Sequence, residues 1–167
     1  MGISPARVAA FDALIEIASK RAFSSIVLPQ VEEGLSPADR GLCHELVLGV
    51  LRRQMWLDRL IDSSTGGRKL DRDVRITLRL GIFQLYFLDR VPDHAAVNDS
   101  VSLASRAKKS SAKGLVNAVL RKATRGTPQL DFADEIERIS IEGSHPRWLI
   151  EKWASEFGQE NAARLAA

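Results

Sequence analysis

Between Ser100 and Leu130 the sequence places Arg106, Lys108, Lys109, Lys113, Arg121, Lys122 and Arg125, with no Asp or Glu among them. The rest of the chain carries 17 cations against 21 acids, so a net charge of +3 hides a basic block on an acidic remainder. Such segregation attracts a polyanion, and nucleic acid is the commonest one in a cytoplasmic setting. Within KGLVNAVLRKATR (113–125) the apolar residues Leu115, Val116, Val119, Leu120 and Ala123 form one helical stripe. Lys113, Asn117, Arg121 and Arg125 fall on the opposite side at i, i+4 steps. Like charges stacked in that way repel by a few tenths of a kcal/mol per pair. Phosphates bound along the ridge would relieve the repulsion. The alternatives are a merely solvated face, or neutralisation by acidic residues of another helix or domain. Asn117, at the edge of the stripe, is expected to satisfy backbone groups at a helix end or loop.

Other reactive residue types give less. Cys43 lies beside core positions of LCHELVLGVL and reads as a small buried filler; a single cysteine excludes an internal disulfide and a cysteine metal cluster. His44, His94 and His145 fit no metal-ligand spacing, so no metal is expected. No strand runs into a glycine-rich loop, and no nucleophile elbow or phosphate-binding loop appears. The pair Gly66-Gly67 reads as a flexible linker. This stretch is therefore expected to hold no catalytic residue and no cofactor. Trp148 points away from the stripe formed by Leu149, Ile150, Trp153 and Phe157, and a large aromatic off the stripe calls for a second surface to cover it.

The elements that position these residues read as helices throughout. Ser4-Pro5 and Ser36-Pro37 look like an N-cap followed by an N1 proline, Asp93 can cap the next segment, and Ser144-His145-Pro146 opens another. Gly34, Gly126, Gly143 and Gly158 fall where periodic segments end. The period predicts helices near 4–19, 24–33, 37–62, 72–90, 94–108, 112–125, 131–142 and 146–157, with a further one beginning in GQENAARLAA. In 72–90 the apolar residues surround the axis, which places that helix at the centre of a bundle, although LGIFQLYFL also permits a buried strand. The fold class is all-α. The longest apolar run is too short to cross a bilayer, and the N-terminus lacks the pattern of a secretory signal, so the cytoplasm is the expected compartment.

RGLCHELVLGVLRR, LRLGIFQLYFLDRVPDHAAVNDSVSLA and GLVNAVLR, in that order over most of residues 5–125, resemble the NusB-like family. SHPRWLIEKWASEFG looks like the segment that leads from a NusB-like domain to the catalytic part of RsmB-type (Sun/Fmu) ribosomal RNA cytosine methyltransferases. The resemblance implies a NusB-like helical bundle over 1–127 and a helical connector over 128–167, with the catalytic domain lying outside this stretch. It also implies a parent protein that moves a methyl group from S-adenosylmethionine to carbon 5 of a cytosine in small-subunit ribosomal RNA. Cys43 matches none of that family's catalytic motif positions. The implied partners are ribosomal RNA and the protein's own catalytic domain; Trp148 is expected to pack against that domain or back onto the NusB-like bundle, or else to stay partly exposed. In NusB proteins an N-terminal basic region takes part in RNA contact, which adds Arg7, Lys20 and Arg21 to the candidate RNA-binding residues. Arg7 reads equally well as a snorkelling side chain on the first helix, and Arg40 as a partner of Asp39 or Glu45. A free-standing NusB-like transcription factor, and a docking module whose basic block faces its own catalytic domain, are the rival readings.

Overall fold

The computed structural model describes residues 2–167. Ten α-helices follow one another: α1 (Pro5–Lys20), α2 (Ser24–Val31), α3 (Pro37–Arg52), α4 (Gln54–Thr65), α5 (Arg72–Phe87), α6 (Asp93–Arg106), α7 (Lys113–Ala123), α8 (Glu135–Gly143), α9 (Arg147–Phe157) and α10 (Gln159–Ala166). A 3-10 turn, Ser110–Ala112, precedes α7. No strand occurs among the described residues, and Leu80–Phe87 is helical.

The all-round apolar character of α5 decides the architecture. It buries Val74, Ile76, Leu78, Leu80, Ile82 and Phe83 on different sides and packs against α1, α3, α4, α6 and α7. Each such side chain contributes about 1.5–3 kcal/mol on burial, so a helix whose wet edge is the narrow row Arg72, Arg75 and Arg79 is stable only where neighbours surround the rest of it. Two glycines admit close approach. A Cβ on Gly49 of α3 would lie 2.0 Å from the Phe83 ring, and one on Gly81 of α5 would lie 2.7 Å from Leu120.

Polar groups inside this core are partnered. Gln84 donates from Nε2 to the Leu80 carbonyl at 2.9 Å, and its Oε1 accepts from Arg7 Nε at 2.5 Å. Arg7 also pairs with Asp99 at 3.3 Å. No buried side-chain nitrogen or oxygen among the described residues lacks a partner.

The predicted helix over 37–62 is in fact two. The stripe Cys43, Leu46, Val47, Val50 keeps phase with Leu57, Leu60 and Ile61, but the polar pair Arg53-Gln54 interrupts it, Arg53 in the turn and Gln54 opening α4. Burying that pair would leave a charge and an amide to satisfy, and the chain breaks there instead, with Arg53 at φ −109°, ψ 15°. Ser36 does cap α3, accepting from the Asp39 amide at 3.1 Å. Asp93 is the first residue of α6, with Pro92 before it. Ser144 is the left-handed C-cap of α8, φ 55°, and Gly143 is the last helical residue. Gly143 serves proximity, since a Cβ there would sit 2.6 Å from the Ala166 carbonyl oxygen.

Helices α8, α9 and α10 form a second, small core of Ile139, Ile150 and Ala166. It leans on the bundle through α4: Arg59 donates to the Asp131 carbonyl at 2.9 Å and pairs with Glu137. Helix α8 starts four residues later than the period predicts, because Asp134 caps it by accepting from the Glu137 amide at 2.8 Å. Glu137 reaches back to the Ala133 amide, completing a reciprocal cap.

Candidate nucleic-acid interface

Helix α7 is fixed by its inner face. Val116, Val119 and Leu120 are buried toward α5 and α6, so Lys113, Arg121 and Lys122 are held in solvent. Lys113 is the first helical residue, at the positive end of the helix dipole, where a cation gains nothing from the helix itself. Arg121 and Lys122 sit in the last turn, where the dipole favours them. Asn117 does not serve the backbone as the sequence suggests; its Oδ1 accepts from Arg121 Nε at 3.0 Å and holds that guanidinium along the ridge. The helix ends at Ala123, so Arg125 lies in the following turn and the predicted four-residue ridge is one residue shorter.

The seven cations of the basic block divide. Arg106 forks onto Asp12 of α1 at 2.8 and 3.0 Å, and Lys109 meets Asp71 at 3.0 Å. Hydrogen bonding to Asp71 raises the Lys109 pKa. Neutralisation by other helices thus accounts for two of the seven. Lys108, Lys113, Arg121, Lys122 and Arg125 have no carboxylate within salt-bridge distance among the described residues. All five are exposed.

The N-terminal set fares differently. Arg7 is a correction: it is only 9% exposed, and its guanidinium is used inside by Gln84 and Asp99, so it has no fork to offer a phosphate. Lys20 is exposed and pairs with Glu16 one turn earlier at 3.0 Å. Arg21 is exposed at the left-handed end of α1, φ 52°. Arg40, expected beside Asp39 or Glu45, has no ion pair among the described residues, and Asp39 instead caps with Ser36. Arg53 lies over the Phe87 ring at 5.4 Å.

Trp148 is 64% exposed, as its position off the stripe implies. Phe157, on the same stripe, is 52% exposed, whereas Ile150 is fully buried in the small core with Ala166 of α10. Cys43 is fully buried, and burial, with Glu32 nearby, pushes its thiol up to about 11. No group of three or more potential metal ligands occurs among the described residues. Gly66 and Gly67, φ 66° and 71°, form the turn that ends α4 rather than a loop entering a helix. No strand leads into a glycine-rich loop among the described residues.

Sequence reasoning missed the residues that organise the surface from a distance. Asp12 and Asp71 silence two cations, and Tyr86 fastens the end of α7 by donating toward the Ala123 and Gly126 carbonyls at 3.0 and 3.2 Å. No local pattern marks them, since their partners lie tens of residues away.

The described helices match the family model named NusB over residues 4–125. The chain belongs to the NusB family. Among curated relatives, a probable ribosomal RNA small subunit methyltransferase B of Bacillus subtilis is 34% identical over 93% of this chain and 36% of its own length. A Synechocystis protein of the same name is 37% identical over 97% of this chain and 38% of its own. The ribosomal RNA small subunit methyltransferase B of Pseudomonas putida is 37% identical over 86% and 33%. This NusB-family chain thus spans about a third of those relatives. The crystal structure of PH0851 shares its fold, with a TM-score of 0.74 at 17% identity, over 97% of this chain and 38% of the other. The all-α bundle expected from the sequence is therefore the family's fold, and no helix among the described residues is long and apolar enough to cross a membrane.

Proposed function

We propose that this NusB-family chain is the RNA-engaging, non-catalytic part of a longer ribosomal RNA cytosine-5 methyltransferase, working in the cytoplasm. Residues 1–127 form the RNA-engaging unit, and 128–167 connect it to a catalytic domain that binds S-adenosylmethionine and meets Trp148. The observation that carries the reading is the set of five exposed cations on α7 and its flanks, Lys108, Lys113, Arg121, Lys122 and Arg125, that have no carboxylate partner among the described residues. Arg106, Lys109, Lys20 and Arg21 border the path of the RNA, the first three able to exchange a carboxylate for a phosphate.

Five phosphate contacts on single-stranded or looped RNA correspond to a slope of log K against log salt of about −3 to −4. Filter binding or fluorescence anisotropy between 50 and 300 mM salt (roughly the range over which counterion release is read) measures it. Arg121→Glu with Arg125→Glu abolishes most of the affinity if the assignment holds. Unchanged affinity defeats the site.

The exposure of Trp148 favours a second role for the same chain, that of docking to the catalytic domain. Tryptophan emission from this chain and from the longer protein distinguishes the cases: a blue shift in the longer protein supports docking, and equal exposure in both removes it.

A further inference from the structure

Beside the end of α7 lies a cavity of about 200 Å³ whose walls are Ile82, Tyr86, Ser64, Ala123 and Pro128, with Lys122 and Arg125 also lining it. Ile82 is buried and forms solid floor, while Lys122 and Arg125 are exposed and stand where the cavity opens. Tyr86 cannot swing away. Its hydroxyl is tied to the Ala123 and Gly126 carbonyls, and its ring meets Trp56 edge-on at 5.6 Å. Burial raises the Tyr86 pKa, so the phenol keeps the proton that makes those bonds.

The chemistry of the opening and of the interior differ. Two cations without carboxylate partners favour an anion outside, and carbon-rich walls with one fixed aromatic ring favour a flat, weakly polar group inside. A nucleotide carries both parts, whereas an apolar protein side chain leaves the cations unsatisfied. We infer that this cavity receives one unstacked nucleobase of single-stranded RNA against Tyr86, its flanking phosphates lying on Lys122 and Arg125. The inference rests on the RNA-binding reading above and deepens it. Apart from the Ser64 hydroxyl the walls offer little to read a base edge, so the slot accepts any base. Stacking, rather than hydrogen bonding, supplies the gain.

The test fills the slot without touching a charge. Ser64→Met places a flexible apolar side chain into the cavity from α4, where Met is a good helix former, and Ala123→Met does the same from α7. Thermal melts establish that each variant folds. Binding is measured for a uridine hexanucleotide and for an abasic hexamer of the same phosphate count. Wild type should prefer the uridine oligomer, and either filled variant should lose about 10-fold of that affinity while binding the abasic oligomer unchanged. Loss of affinity for both oligomers alike would mean a disturbed charge surface and overturns the slot. An unchanged uridine affinity in both folded variants overturns the slot while leaving RNA binding intact. Wild type binding neither oligomer overturns the RNA-binding reading and the slot together.

Discussion

Arg7 Nε donates to Gln84 Oε1 at 2.5 Å in the middle of the bundle, joining two helices whose residues are 77 positions apart. The bond places a cation where sequence logic allowed either an RNA contact or a snorkelling chain, and it does neither. Arg7→Met should strand Gln84 Oε1 and leave Asp99 without its partner, at a cost of about 2–3 kcal/mol. Urea denaturation measures the loss. RNA affinity of the folded variant should match wild type, and a selective loss of affinity at unchanged stability would return Arg7 to the RNA surface.

Cys43 is fully buried and its thiol is pushed up to about 11, so almost no thiolate exists at neutral pH. A thiol reagent at pH 8 should label it only as fast as the protein unfolds. The folded state holds this proton more tightly than the unfolded one, whose ordinary value is 9.0. Stability contributed by the thiol is complete below that value and drains away as pH rises toward 11. Rapid stoichiometric labelling of native protein would contradict this.

Asp134 accepts from the Glu137 amide and forks onto Arg147 at 3.0 and 2.9 Å, so one carboxylate caps α8 and ties it to α9. The Arg147 guanidinium, then the capped amide, hold Asp134 below its ordinary range, and Glu135 and Glu137 are lowered likewise by Arg138 and by the Ala133 amide. Groups with depressed pKa values stabilise above their unfolded values and cease to do so as pH falls through the folded ones. Acidification below about pH 4 should therefore release α8 and α9 before the larger bundle, whose core is apolar. Hydrogen exchange followed down the pH scale checks the order, and Asp134→Ala should bring the release to higher pH. Simultaneous loss of both parts would refute it.

A methyl at position 49 has nowhere to go, because the Phe83 ring occupies its place at 2.0 Å. Phe83 is itself stacked on Phe87 at 5.1 Å. Gly49→Ala should cost about 1–3 kcal/mol by overpacking, despite the better helix propensity of alanine. Pairing it with Phe83→Leu should restore part of the loss in a double-mutant cycle.

Much of the bundle was legible because one property, the 3.6-residue apolar period, is local. It located α5 at the centre and the exposure of Trp148, while the proline starts marked α1 and α3. It ran straight through Arg53, since a polar pair on an otherwise continuous stripe reads as a blemish until burial is known. It began α8 too early because Asp134 is one acid among several until its partners Glu137 and Arg147 are placed. The basic block was equally visible as charge. Which of its members stay free was not, because Asp12 and Asp71 reach Arg106 and Lys109 only through the folding of α1 and α5 against α6.

The missing side chain of Gly81 has an effect beyond packing. With a hydrogen there, Leu120 settles directly onto the backbone of α5. Gly81 thus helps set how closely α7 approaches the central helix, and with it the height at which Lys113, Arg121 and Lys122 crest the surface. A single carbon atom added deep inside would lift the whole charged crest outward, altering its contour without changing one charge upon it.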